Sequence, residues 1–379
     1  MSGHEKVLYS PALRMKTGEL SGMRDLKQDV AAYVLPRFIV PPLGERDDDQ
    51  PDLFPLGQAP DVGGILAKYW YGRRAFIDLT YLIKEAGRDN LGAWLPQMFS
   101  RARSLRTRGI PMAMLRDLGE VEAKGFKGAI PHDEILKFAI GVSSGEMVDP
   151  NFGRLLSSAL SWLGLQYRDC AIIADFSDSD FSVPDYVTPI ISGAFEQLQD
   201  LGDWQHIIFQ GTHYPEKNPA DPGETTLCPR NEWTAWRQAV KFAPTTADYM
   251  IFGDYSADSS KMTFGGAGAP AIRHYRYTTE DDWLVVRGGK TGSDRAIMKD
   301  VCSRIVTNAL FAGPRFSVAD AYIHRTANDL DGPGNSTMWR QVNTTHHITR
   351  VVTDVAKVRG ISISEIPEER VGEQMSLLA

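Results

Sequence analysis

Eight short apolar runs punctuate the first 260 residues, and each ends in polar residues. They are VLYS (7–10), RFIVPP (37–42), AFIDLT (75–80), IPMAMLRD (110–117), LKFAIGVS (136–143), CAIIADFSD (170–178), HIIFQGTHY (206–214) and DYMIFGDYS (248–256). Most are continuously hydrophobic rather than alternating, the pattern of strands covered on both faces in a parallel sheet. Between them, apolar positions step by three and four. In 18–35 these are Leu20, Met23, Leu26, Val30 and Val34. The segment 90–109 repeats the pattern, with Pro96 as a candidate break and Gly109 as a stop, and 151–165, 188–202 and 230–242 follow. The runs recur about every 30–40 residues, the length needed for a strand, a loop, a helix and a return loop. The pattern predicts an α/β fold, a (β/α)8 TIM-like barrel over 1–260. An open doubly wound sheet is the alternative, and periodicity does not separate a short buried strand from a buried helix segment.

The remainder differs. TFGGAGAP (263–270) is turn-rich, and AIRHYRYT and WLVVRGGK, joined by TEDD, read as a hairpin. Residues 261–292 therefore form a glycine-rich loop and a β-hairpin, expected over the barrel mouth. Helical patterns at 293–311, 317–330 and 337–360 make 293–379 a helical extension, with Gly360 as a stop. The acidic, proline-rich stretch 45–60 is too long for a plain connector and reads as a lid-like excursion or a surface loop.

Composition narrows the class. The chain has 379 residues, 41 Lys+Arg against 48 Asp+Glu, a net charge of −7 and 42% hydrophobic residues. An acidic chain is not one whose whole surface neutralises nucleic-acid phosphates. Mean hydropathy is −0.26, no apolar run is long enough to span a bilayer, and the N-terminal segment lacks an apolar signal core. The three cysteines fit neither a disulfide framework nor a zinc pattern; Cys170 and Cys302 sit in apolar runs as buried thiols. The expectation is a cytoplasmic protein without membrane contact.

In a parallel barrel the loops after each strand converge on one face. That places Tyr9, Asp78, Arg116, Asp175, His213, Asp254 and Tyr255 on a shared rim. Asp78, Asp175, Asp254 and His213 have the donor types of a divalent-metal site. Clustered carboxylates also suit acid–base work, because they push one another's pKa values apart. The alternative is ordinary strand capping by polar residues.

Three motifs fail on context. GVSSG (141–145) matches the nucleophile elbow at Ser143, but the next helical pattern starts only near Asn151, so the sharp strand-to-helix turn is missing. RGGKTG (287–292) has Leu284 where a phosphate loop needs glycine, and Pro270 breaks a dinucleotide reading of GAGAPA (266–271). No cofactor is assigned. His346 and His347, adjacent on a helix, point to different sides and do not by themselves make a two-ligand site.

Three stretches carry a resemblance. They are the opening Tyr9-x-Pro11-x-Leu13-x-x-Lys16-x-Gly18-Glu19-Leu20, the PRNEWTAW and FGDYS segments with Arg230, Glu232, Trp233, Gly253, Asp254 and Tyr255, and the RYTTEDDWLVVRGG hairpin. Together they resemble the Beta protein family of phages and bacterial genomes. The resemblance implies a barrel protein associated with anti-phage defence and linked to a toxic partner encoded nearby. It carries no settled reaction. By motif position it singles out Lys16, Glu19, Arg230, Glu232, Asp254, Tyr255, Arg276, Tyr277, Trp283 and Arg287, with no role attached.

If the hairpin folds over the mouth, Arg276 and Arg287 face the rim carboxylates. The result is a polar pocket of both charge signs, suited to an anionic, nucleotide-like small molecule. Asp254, Asp175, Glu232 and His213 are then the candidate catalytic groups. Lys16, Glu19, Asp78, Arg116, Arg230, Tyr255, Arg276, Tyr277 and Arg287 are the candidate ligand holders. The alternatives are a non-catalytic scaffold that controls a toxic partner protein, and a metabolic hydrolase.

Overall fold

The computed structural model describes residues 6–46, 60–242, 250–261 and 272–363. The stretch between 47 and 59, most of the glycine-rich loop and the tail beyond 363 lie outside the described residues. Seven of the eight apolar runs supply a strand of one parallel sheet; the first, 7–10, supplies only the bridging residue Tyr9, and its strand lies just beyond the run at Ala12–Arg14. In chain order the strands are β1 (Ala12–Arg14), β2 (Arg37–Ile39), β3 (Arg74–Asp78), β4 (Arg108–Met114), β5 (Phe138–Ser143), β6 (Cys170–Asp175), β7 (His206–Gln210), β8 (Thr225–Pro229), β9 (Met250–Ile251), β10 (His274–Thr278) and β11 (Asp282–Arg287). The sheet order is β1-β2-β3-β4-β5-β6-β7-β9. Register steps regularly along it: Ile39 opposes Asp78, Asp78 opposes Met112, and Ser143 opposes Asp175, which opposes Gln210.

The fold is a mixed α/β structure whose eight-stranded sheet curls on itself. A parallel bridge joins Tyr9 to Phe252, and the Ser10 and Ala12 amides donate to the Phe252 and Asp254 carbonyls at 2.9 and 2.8 Å. Gly253 sits at this seam. A Cβ there would lie 2.6 Å from the Phe209 carbonyl oxygen and 2.7 Å from that of Ser10, so only glycine fits.

Side chains alternate across each strand. The concave face holds Phe76, Ile110, Met112, Ala139, Ala171, Ile173, Ile208 and Ile251 as one apolar cluster. The convex face packs on the helices through a much larger cluster. Pro96 does not break its helix, which runs unbroken over Arg88–Ser104. The predicted 18–35 helix splits at Asp25 into Thr17–Arg24 and Gln28–Ala31.

The hairpin β10–β11 forms as expected but gains a third strand, β8, in a separate antiparallel sheet of order β10-β11-β8. The chain then continues through helices Asp294–Val306, Val318–Ala327 and Ser336–Val358. The last of these packs along helix Thr17–Arg24, where Gly18 and Gly22 leave no room for a Cβ against Arg340 and Thr344. No described helix is long and apolar enough to cross a membrane. Cys170 and Cys302 are buried free thiols, and burial raises both.

Candidate functional site

The residues singled out by sequence fall into three places. On the concave face, at the C-terminal edge of the sheet, Arg37 binds Asp78 through Nε and Nη2 at 2.9 and 2.7 Å and approaches Asp175 at 3.6 Å. The Tyr255 hydroxyl donates to Asp175 Oδ2 at 2.8 Å. Burial, then the Asp175 charge, pushes the Tyr255 phenol far above its ordinary value, so it serves as a donor. Thr80 caps Asp78 from the following helix. Arg37 Nη1 has no hydrogen-bond partner.

The second place is beside it, where the loop after β9 meets the hairpin. Asp258 receives three guanidinium groups: Arg14 at 2.7 Å, Arg340 at 2.8 Å and Arg276 at 3.0 Å. Arg14 also binds Glu19 at 2.7 Å, and Arg340 lies 3.8 Å from Glu19. Arg276 lies over the Tyr214 ring, 4.9 Å from its centroid, and donates to the Ala257 carbonyl. Three cations thus face two carboxylates. Burial alone would raise the Asp258 carboxyl, but Arg276, Arg340 and Arg14 outweigh it and hold it well below the usual range. Burial and the repulsion of Arg14 lower Arg340. His274 is driven down to about 4 by burial and then by Arg276, Arg287 and Arg340. A crevice with room for about 20 Å³ opens there, lined by His274, Arg276, Trp339, Arg340 and Asn343. That admits one oxygen-sized group.

The loop joining these two places is strained. Ser256 and Ala257 have φ of +53° and +55°, the left-handed region, on consecutive non-glycine residues. The neighbours fix the loop from every side. The Ser256 amide donates to Asp254 Oδ1, Asn343 Nδ2 donates to the Ser256 carbonyl, Arg276 holds the Ala257 carbonyl, and Asp258 is clamped by its arginines. Strain held this way concentrates at functional positions.

The third place is sealed. Asp254 does not share the rim with Asp78 and Asp175, because strand alternation turns it to the convex side. There Asp254 accepts from the Tyr9 hydroxyl at 2.5 Å and from His347 Nε2 at 2.9 Å. His347 Nδ1 accepts from Thr278 Oγ1 at 2.8 Å. Burial alone would raise Asp254, but His347 and Tyr9 outweigh it and hold it below the usual range, while burial lowers His347. Nearby, Arg230 binds the Thr279 and Glu280 carbonyls and Asp354. Glu232 accepts from the His213 amide at 3.1 Å, and burial pushes its carboxyl up to about 8. The Tyr277 hydroxyl donates to Asp320, which also meets His346. None of these side chains reaches solvent. This layer joins the sheet to helix Ser336–Val358.

Several expectations are corrected here. Tyr9 lies before the first strand, not at its end: β1 runs from Ala12 to Arg14, and Arg14 takes the edge position. Glu232 and Asp254 are enclosed, and His213 is half-buried near Asp180, so the four candidate catalytic groups do not converge. Arg116 is exposed on the turn after β4, and Lys16 is partly exposed just before helix Thr17–Arg24. Arg287 does not face the carboxylates but holds the Ala220 carbonyl at 3.0 Å. The metal set is not assembled: among the described residues no three His, Cys, Asp or Glu stand together to hold an ion. A one-turn helix, Ser144–Met147, does follow β5 directly, so a sharp turn exists at Ser143; its hydroxyl, however, bonds Glu146 in a capping box.

Reasoning from sequence missed Arg14, Arg37, Asp258 and Arg340. Arg14 and Arg37 left a trace, a charge within an otherwise apolar strand. Asp258 and Arg340 left none.

This architecture, a curled parallel α/β sheet with a hairpin sheet and helices fastened by a buried polar layer, coincides with one known sequence family. The Beta protein family matches residues 9–353, most of the chain, and the protein belongs to that family. No curated protein sequence matches it. Among solved structures, pyruvate carboxylase from Rhizobium etli is similar over 97% of this chain and 30% of that one, with 11% identity and a TM-score of 0.36. Its carboxyl transferase domain with pyruvate matches over 97% and 51%, with 9% identity and a TM-score of 0.37. A Coccidioides immitis protein described as a fructose-1,6-biphosphate aldolase matches over 93% and 94%, with 10% identity and a TM-score of 0.33. The chain thus spans a third to a half of the carboxylase chains. At TM-scores of this size, neither carboxylase nor aldolase chemistry transfers to it.

Proposed function

We propose that this Beta family protein binds an anionic, nucleotide-like small molecule at the arginine cluster of Arg14, Arg276 and Arg340, and that it does so as a component of an anti-phage defence system. The observation that carries the binding reading is the convergence of two part-exposed guanidinium groups on one crevice. Among the described residues, Arg276 and Arg340 reach one crevice beside Asp258, and Arg276, Arg287 and Arg340 add to the burial that lowers the adjacent His274 to about 4. An anion entering beside Arg276 and Arg340 meets two guanidinium groups able to make two-pronged hydrogen bonds. The side chains of Arg276 and Arg340 are 16% and 27% exposed, so the site is reachable. The Arg37, Asp78, Asp175 and Tyr255 group lies along the strained loop and supplies polar contacts to the rest of such a ligand. The defence role rests on family membership.

The same reading takes the curled sheet as a closed (β/α)8 barrel over 1–260, followed by the hairpin segment 261–292 and the helical extension 293–379. The seam bonds from Ser10 and Ala12 and the glycine requirement at 253 support closure.

A second reading, a non-catalytic scaffold that controls a toxic partner, is favoured by one observation: Asp254, Glu232, Arg230 and Tyr277 are enclosed and serve architecture. The test is a thermal-melt panel with mono-, di- and triphosphate nucleotides, pyrophosphate and a neutral nucleoside, run beside phage-plating assays. The binding reading expects a rise in Tm with the phosphorylated compounds alone. A flat panel, with protection lost only on deleting a neighbouring gene, favours the scaffold.

A further inference from the structure

Helix Pro184–Leu201 carries an outer face that no other described residue covers. Tyr186 and Ile190 are 76% and 55% exposed, with Val183 at 42% just before the helix. Pro189 and Gly193 are exposed on the same face. Positions 186, 190, 193 and 197 align along one side of a helix. Gln197 reaches the Met147 carbonyl, next to Val148, which is 78% exposed, so the apolar surface continues onto the neighbouring element.

Two residues here weaken the helix without serving the fold. Pro189 removes the amide that would meet the Asp185 carbonyl. Gly193 costs stability in a helix interior, yet a Cβ placed there meets nothing within 4 Å. Nothing inside the protein requires a glycine. A missing side chain on an exposed helix face lets another backbone approach closely.

Charge completes the picture. Residues 169–205 contain no Lys, Arg or His. Asp178, Asp180, Asp185, Glu196, Asp200 and Asp203 are all exposed around the apolar face. These six acids nearly equal the chain's net charge of −7.

We propose that this face docks a partner protein through a cationic amphipathic helix, with apolar anchors on the Tyr186–Ile190 stripe, its backbone close to Gly193, and Lys or Arg flanks on the acids. A second copy of this chain is disfavoured, because six like charges would face six. The segments of this chain outside the described residues do not fit either: 47–59 and 364–379 are acidic. The proposal stands apart from anion binding at the arginine cluster, and neither result decides the other.

The test uses the full chain and three labelled 18-residue peptides: an amphipathic Leu/Lys helix, a scrambled peptide of the same composition, and a Leu/Glu helix. Fluorescence anisotropy reads binding, and sedimentation velocity reads self-association. The Leu/Lys helix is expected to bind at least about ten-fold more tightly than the other two. Tyr186→Ser with Ile190→Ser is expected to weaken it about ten-fold or more, as is Glu196→Gln with Asp200→Asn. Gly193→Leu blocks the approach and weakens binding while leaving Tm unchanged or higher. Leu330→Ser, at an exposed apolar residue elsewhere, leaves binding unchanged. Equal binding of the scrambled peptide, insensitivity to the Tyr186/Ile190 pair, no binding at millimolar peptide, or self-association abolished by that pair would each overturn the proposal.

Discussion

Two polar clusters lie within a few residues of each other in the chain yet have opposite character. Asp254 belongs to a closed layer: its partners Tyr9 and His347 are fully buried, and Arg230 and Glu232 beside them are 0% exposed. Asp258, four residues on, belongs to a more open one: Arg14 is buried, but Arg276 and Arg340 are part-exposed. A sealed group whose partners are all internal can only hold parts together. A reachable cluster of guanidinium groups can also receive something. Of the residues singled out by motif, Arg230, Asp254 and Tyr277 lie in the closed layer beside the C-terminal helices, whereas Glu19 and Arg276 lie in the cluster around Asp258.

The largest expected effect is in the sealed layer. Asp254→Ala removes the shared acceptor of Tyr9, His347 and the Ser256 amide, and leaves buried donors unpaired. The cost is about 3–5 kcal/mol, read by urea unfolding. A loss below about 1 kcal/mol would dissolve the distinction between the two clusters.

Asp258→Asn comes next. It removes the carboxylate shared by Arg14, Arg276 and Arg340 and should destabilise by about 2–3 kcal/mol, less than the first because Arg276 and Arg340 are part-exposed. Unlike Asp254→Ala, its Tm should recover with added phosphate, because an outside anion can take the vacated place. Melting both variants across a phosphate series separates the clusters.

Glu232→Gln probes the closed side through pH. The carboxyl is raised in the folded protein to about 8, against an ordinary value of 4.5. Between those values the folded state holds a proton that the unfolded state has released, so stability falls as pH rises from about 4.5 through 8. The amide variant removes that slope, by on the order of a few kcal/mol at pH 9. Unfolding free energies at pH 5, 7 and 9 show it as a flattened profile.

The smallest effect is Ala257→Gly. Glycine adopts the +55° φ without strain, so the fold should gain up to about 1 kcal/mol, partly offset by the greater freedom of glycine when unfolded. A measurable loss would mean that the Ala257 methyl group's packing outweighs its backbone.

The parallel sheet was legible because strands buried on both faces are unbroken apolar runs: seven of the eight runs became strands, and the remaining strand starts just past the end of its run. The third hairpin strand was not. Thr225–Pro229 is polar and partly exposed, and its neighbour β11 comes more than fifty residues later. The edge of the first strand was misplaced at Ser10 because Pro11 reads as a terminator, which hid Arg14. The receptive cluster was half legible: Glu19 and Arg276 stand in short motifs, but Asp258 and Arg340 look like ordinary surface residues. The sealed layer was the least accessible to sequence, since Tyr9 and His347 meet across 338 positions. Two adjacent helical histidines disclose nothing of the acids, Asp254 and Asp320, that each will find.

The account's central claim is that the cluster around Asp258 is receptive and not merely structural. Calorimetric titration of pyrophosphate into the intact protein and into Arg340→Gln tests it most directly, with the Tm of both recorded. The account predicts saturable binding that weakens at least about ten-fold in the variant, at nearly unchanged Tm. Equal binding by both, or none by the intact protein, would contradict it.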